Sequence, residues 1–178
     1  MIDLKPFCSN ESWRPYLHKP FADGEWVYAT NGHICVRVPR NTHDAVPEKN
    51  APDAKRLFDI AGCGQELVDL PKIDLPETIF SPCSECHGRG TEHDCPDCEC
   101  ACESCGGTGD TISEISVSLA GAVFLARYIK LMQALPAPVK IEANRLDHNK
   151  PLFFVFEGGQ GLLMPTWEKY PHHIELAP

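Results

Sequence analysis

Ten cysteines occur in this chain, and seven of them fall within residues 83–105. Four belong to two copies of one eight-residue pattern, Cys83-Ser-Glu-Cys86-His-Gly-Arg-Gly90 and Cys102-Glu-Ser-Cys105-Gly-Gly-Thr-Gly109. Between the copies lie Cys95-Pro-Asp-Cys98 and Cys100. Two thiols separated by two residues can reach one ion together, and the glycines that follow permit turns that bulkier residues resist. Two such knuckles supply the four soft donors that tetrahedral zinc takes, so the spacing predicts a zinc module over residues 82–110. Disulfides and a redox pair are the competing chemistries. The setting of a redox Cys-x-x-Cys, at a helix start in a thioredoxin-like pattern, is missing from the flanking sequence.

Other reactive patterns are sparse. We find no nucleophile–base pair in a recognisable context, no phosphate-binding glycine loop and no His-Glu-x-x-His, so the expectation is a non-enzymatic protein. Residues 1–25 hold no uninterrupted apolar run, and no stretch is long enough to cross a bilayer, which predicts a cytoplasmic protein without a membrane partner. In that compartment clustered thiols more often hold metal than form disulfides. The formal charge of −9 argues against nucleic-acid binding by the surface as a whole. Any such contact needs a local basic face.

The elements around the module follow from periodicity. Residues 10–21 have helical spacing, which predicts a short helix although Pro15 interrupts it. Residues 25–38 read as a hairpin around Asn31-Gly32, with a two-residue turn that sets Ala29 opposite Ile34 and Val27 opposite Val36. Residues 39–80 are rich in proline and charge and read as a connector, with one short helix around 53–61. A strand pattern follows at 111–118. Phe124, Leu125, Tyr128, Leu131, Met132 and Leu135 form one apolar stripe, which predicts a helix over 119–135. Strands are expected at 139–143, 152–157 and 161–164. The order implies an α+β domain from residues 1–81 and 111–178, with helices packed on one face of a mostly antiparallel sheet and residues 82–110 inserted.

The doubled cysteine pattern resembles the cysteine-rich zinc domain of J-protein chaperones. In that family the first repeat pairs with the last, which implies one ion shared by Cys83, Cys86, Cys102 and Cys105. A second site would need Cys95, Cys98 and Cys100 with a histidine such as His93 or His87. An alternative arrangement pairs Cys83 and Cys86 with Cys95 and Cys98. This resemblance also suggests a chaperone-like or adaptor role, although no His-Pro-Asp signature is present.

A second resemblance lies outside the insert. Ala29-Thr-Asn-Gly-His33, Ala126-Arg-Tyr-Ile-Lys-Leu-Met-Gln-Ala-Leu135 and Gly161-Leu-Leu-Met-Pro165 look like segments of the bacterial sliding clamp, the β subunit of the replicative DNA polymerase. The match covers roughly residues 10–38 and 111–170. It implies a clamp-like domain acting as a DNA-replication accessory. The length suffices for one such domain, so a closed ring would be a homo-oligomer of about six copies. In clamps a pocket accepts short peptides from protein partners; carried over, its residues are Thr30, Gly32, His33, Met164 and Pro165. Ile34 and Thr166 depart from that family's pattern. No acidic residue occurs from 115 to 141, and Arg14, Lys19, Arg127 and Lys130 are the candidates for a thin DNA-binding face.

Overall fold

The computed structural model describes residues 1–61, 66–91, 100–143, 147, 149–167 and 169–175. The first half contributes strands β1 (Phe21–Asp23), β2 (Trp26–Thr30) and β3 (Ile34–Pro39), helix α1 (Ala54–Ala61), then β4 (Leu67–Asp69) and β5 (Ile79–Pro82). The second half supplies β6 (Asp110–Ser113), β7 (Ile115–Leu119), β8 (Ala122–Leu125) and helix α2 (Ala126–Gln133). It ends with β9 (Lys140–Glu142), β10 (Leu152–Phe156), β11 (Gly159–Leu163) and β12 (His172–Glu175). Among the described residues, no helix is long and apolar enough to cross a membrane.

Seven strands form an antiparallel sheet in the order β1-β2-β3-β11-β10-β9-β4. Alternation sends Val27, Ala29, Ile34, Val36 and Val38 to one face, where they join Phe124, Ile129 and Met132 in the main core. Tyr28, Cys35, Phe153 and Leu162 point the other way and bury Ala54 and Phe58 of α1. The α+β class is therefore observed, but the two helices cover opposite faces of the large sheet rather than one. The reason is that both faces of β2, β3 and β10 are apolar, and each needs a cover.

The hairpin forms with the expected faces, in a register moved by two residues. Val27 opposes Val38 and Ala29 opposes Val36, and Thr30 opposes Cys35 across a four-residue loop. Side chains add to the one backbone bond of the loop, Asn31 N to Ile34 O at 3.3 Å. The Thr30 hydroxyl accepts from the Gly32 amide at 3.0 Å and donates to the Ile34 carbonyl at 2.8 Å. Asn31 Oδ1 accepts from the amides of His33 and Ile34 at 3.0 and 3.1 Å. These bonds satisfy the backbone groups that a two-residue turn would have used.

Three other expectations change. The helix predicted over 119–135 begins only at Ala126. Ala120 and Gly121 both take positive φ, 47° and 76°, and make a two-residue turn that folds β8 back on β7. Residues 10–21 contain a single 3-10 turn, Pro15–Leu17: Pro15, tolerated in a first turn, bars a helix that starts further back, and Pro20 stops one from running on. Residues 39–80 are more than a connector: α1 forms as expected, and β4 adds an edge strand to the large sheet.

A second sheet, β12-β7-β8, lies over the main core, with β12 parallel to β7. His173 ties the parallel pair, its ring nitrogens meeting Ser116 Oγ at 2.8 Å and Ser118 Oγ at 2.9 Å. Strands β5 and β6 form a separate two-stranded ribbon that leads into and out of the cysteine module. Its inner side is fastened to the body by Ser81 Oγ, which accepts from Ser113 Oγ at 2.6 Å and contacts His172 Nε2 at 3.1 Å.

Candidate metal centre

The ribbon closes at the pair Pro82–Asp110, and the two knuckles begin there. They are related by a local pseudo-twofold, visible in matched hydrogen bonds. Cys83 N donates to Gly109 O at 2.7 Å, and Cys102 N donates to Gly90 O at 2.9 Å. Gly88 N donates to Cys83 O at 3.2 Å, and Gly107 N donates to Cys102 O at 3.1 Å. Every partner reappears nineteen residues later, the sequence offset between the repeats. The glycines serve this symmetry directly. Gly90 and Gly109 have φ of 78° and 81°, and a Cβ on either would stand 2.4 or 2.5 Å from the carbonyl oxygen of Gly107 or Gly88.

That backbone brings four sulfurs together. Sγ atoms of Cys83, Cys86, Cys102 and Cys105 all lie within 4.8 Å of one another, with Cys83 to Cys102 at 3.9 Å and Cys86 to Cys105 at 3.8 Å. A disulfide would need about 2.05 Å, so the thiols are close without being bonded. Backbone amides point at the outer sulfurs: Gly90 N donates to Cys86 Sγ at 3.2 Å and Gly109 N to Cys105 Sγ at 3.3 Å. Such bonds favour thiolate over thiol. At Cys105 burial opposes ionisation, but donation from the Gly109 amide, the Cys102 thiol, the Gly107 amide and the Cys86 thiol outweighs it and brings the group down to about 7. Three of the four cysteines are buried and pack on one another as a small core of their own. The cluster is geometrically suited to hold a metal ion.

The first-with-last pairing of knuckles is thus the one the structure forms. Cys100 is exposed and outside the cluster. Cys95, Cys98 and His93, expected at a second site, lie outside the described residues. His87 is exposed in the first knuckle with φ of 51°. Away from the module, burial pushes the thiols of Cys8 and Cys35 up, to about 11 and about 12, in keeping with packing roles.

A second feature forms at the hairpin loop. The carbonyl of His33 accepts the Met164 amide at 2.8 Å, because β11 runs beside β3 with Leu163 opposite Ile34. This joins the two sequence segments expected to make a peptide pocket within a single chain. A cleft of about 330 Å³ opens there, lined by Thr30, Gly32, His33 and Met164 together with Trp13, Leu17, Leu57 and Leu162. Pro165 is half-buried and outside that lining. The apolar wall from Trp13, Leu17 and Leu57 was not assigned from sequence; Trp13 and Leu57 are 64% and 47% exposed, large apolar groups left in solvent.

The basic candidates are dispersed. Arg14 lies across the loop, donating to the Asn31 carbonyl at 3.3 Å, stacking on Trp13 and pairing with Glu11 at 3.6 Å. Arg127 pairs with Glu114 and covers the Tyr128 ring, which stacks with His33 at 5.7 Å between centroids. Lys130 donates to the carbonyls of Pro76 and Glu77, and Lys19 is exposed. Arg14 and Arg127 thus converge on His33, whereas Lys130 holds down the segment before β5. Burial first, then the charges of Arg127 and Arg14, lower the pKa of His33.

No protein-family model matches this chain, and neither a curated protein nor a solved structure matches it.

Proposed function

We propose that this chain is a non-enzymatic binding protein that receives a short peptide of a protein partner in the cleft between the 30–34 loop and Met164, and that zinc holds its cysteine module in shape. The observation that carries the first half is the meeting of His33 and Met164 at 2.8 Å beside a 330 Å³ cleft walled by Trp13, Leu17, Leu57 and Leu162. Concave sites with mainly apolar walls and a few convergent polar groups are the usual form of small binding sites. The resemblance of the same residues to the sliding-clamp pocket favours a peptide as the occupant and DNA replication as the setting.

The zinc reading rests on distance. A zinc–sulfur bond of about 2.3 Å puts the edges of a thiolate tetrahedron at about 3.8 Å, and the two closest sulfur pairs stand at 3.8 and 3.9 Å. Four protein sulfurs leave no open coordination position, which suits a structural ion rather than a catalytic one. Cys83, Cys86, Cys102 and Cys105 would hold it, and the ion would supply the cross-link that so small a core lacks.

Fluorescence anisotropy tests the peptide reading, using labelled peptides of the kind that bind sliding clamps and the purified, metal-loaded chain. Saturable binding that weakens at least ~10-fold in Met164→Glu is the expected result. A folded protein with no affinity for any of these peptides would remove the proposal.

A further inference from the structure

The ribbon β5–β6 has two unlike sides. Ile79, Ser81, Thr111 and Ser113 face the body and are half-buried there, with Ile79 against the main core and Ser81 on His172. Phe80 and Ile112 are directly paired across the ribbon, on the opposite side. They are 65% and 74% exposed. Pro82, next on that side, is exposed as well. A cross-strand Phe–Ile pair is a unit that stabilises sheets by being covered. Here it is exposed, at the root of the cysteine finger, and among the described residues no hydrophobic cluster takes in either side chain.

Charge identifies what would cover it. Residues 82–110 contain seven carboxylates and a single arginine, a formal −6 of the chain's −9. A divalent ion on four thiolates adds a further −2 to the same finger. Among the described residues, Glu85, Glu103 and Asp110 are exposed around the knuckles, and Asp110 stands beside Ile112. A second copy of the chain would bring the same sign of charge to this side and be repelled; so would nucleic acid. A cationic polypeptide would be attracted by the finger and could seat its apolar side chains on Phe80 and Ile112.

We infer that the outward side of the ribbon, Phe80 with Ile112 and Pro82, is a docking surface for a basic, apolar-bearing protein segment. It is separate from the cleft at Met164 and does not depend on that cleft's function. The knuckles adjoin it: Cys83 N donates to Gly109 O next to the Pro82–Asp110 pair, and Phe80 meets Ile112 in the same register, so a metal on the four cysteines would bear on its geometry only indirectly.

The test uses the full zinc-loaded chain labelled with nitrogen-15. The probe is a twelve-residue peptide alternating lysine and leucine, with glutamate–leucine and lysine–serine counterparts as controls. The lysine–leucine peptide is expected to shift amides of 79–82 and 110–113, with binding that falls at least ~10-fold in the double variant Phe80→Ser, Ile112→Thr. Glu103→Lys, which leaves the apolar pair in place, should weaken binding several-fold. Equal binding by the double variant, no binding, shifts confined to 30–34 and 162–164, or comparable binding of the glutamate–leucine peptide or of duplex DNA at this side would each overturn the inference. The clamp-type peptides used for the cleft report separately, because their contacts fall on His33 and Met164.

Discussion

Gly90 and Gly107 meet backbone to backbone: a Cβ on Gly90 would sit 2.4 Å from the Gly107 carbonyl oxygen. The contact belongs to the axis that relates the two knuckles, and Gly109 repeats it against Gly88 at 2.5 Å. Gly90→Ala therefore meets rigid backbone and a left-handed φ together. A non-glycine residue in an unfavourable backbone region costs on the order of 1–3 kcal/mol even with free space, so the two halves should separate. The expected outcome is loss of one bound ion per chain, read by metal analysis after gel filtration, while far-ultraviolet circular dichroism of the body changes little.

Removing a ligand should act more sharply than removing a neighbour. Cys86→Ser removes the sulfur that accepts from the Gly90 amide and leaves three clustered cysteines, whereas Cys100→Ser alters an exposed thiol outside the cluster. The first substitution is expected to lower bound metal by one ion per chain and to make the remaining clustered thiols react with a disulfide reagent within minutes. The second should leave the occupancy of this cluster unchanged. Equal metal loss in both would place Cys100 among the ligands of the ion.

The two knuckles were legible in the sequence because their pattern is written there twice, nineteen residues apart, with glycines at matching positions. Their pairing with each other came only from the chaperone resemblance, since the spacing alone also allowed Cys83 and Cys86 to pair with Cys95 and Cys98. The faces of β2 and β3 were equally legible, since alternation survives a register shift of two. The register itself was not, because Thr30 and Asn31 use their side chains to rebuild the loop, a choice that Asn-Gly alone does not announce. Residues 122–125 misled for a different reason: Ala-Val-Phe-Leu is continuous apolar sequence, which fits a helix or a buried strand alike. Only the turn at Ala120-Gly121 decides. β12 was missed because its His172-His173 start carries no apolar alternation, and its pairing partner, β7, lies more than fifty residues away. The cleft is different again: His33 and Met164 were singled out only through the clamp resemblance, whereas Trp13 and Leu57 join them through the tertiary fold.

His33 offers a pH readout of the cleft. Its pKa lies below the ordinary 6.5, first through burial and then through Arg127 and Arg14. The unfolded chain therefore binds this proton more readily than the folded one. The contribution to stability is complete above 6.5 and is lost as pH falls from there through the folded value. Proton NMR should place the His33 midpoint below 6.5 in the wild type. Arg127→Ala should raise it only part of the way, since burial and Arg14 remain. A midpoint unchanged by Arg127→Ala would mean that the guanidinium, already paired with Glu114, exerts no field on the ring.

Phe58 tests whether the body and the finger are energetically separate. The ring is 1% exposed, packs on Tyr28 at 6.0 Å between centroids, and lies under the Arg37 guanidinium at 4.2 Å. With Ala54 it is the buried contact of α1 with the large sheet. Phe58→Ala empties that contact, and such truncations cost about 3–5 kcal/mol. Denaturant unfolding should show a lower midpoint at unchanged slope, equivalent to an unfolding free energy reduced by that amount. The cysteine cluster has its own small core of Cys83, Cys86 and Cys102, separate from the one that holds Phe58, so the metal that the native chain retains should be unchanged. If the variant instead loses metal in proportion to stability, the finger draws its order from the sheet through Ser81 and His172, and the ribbon rather than the ion is what holds it.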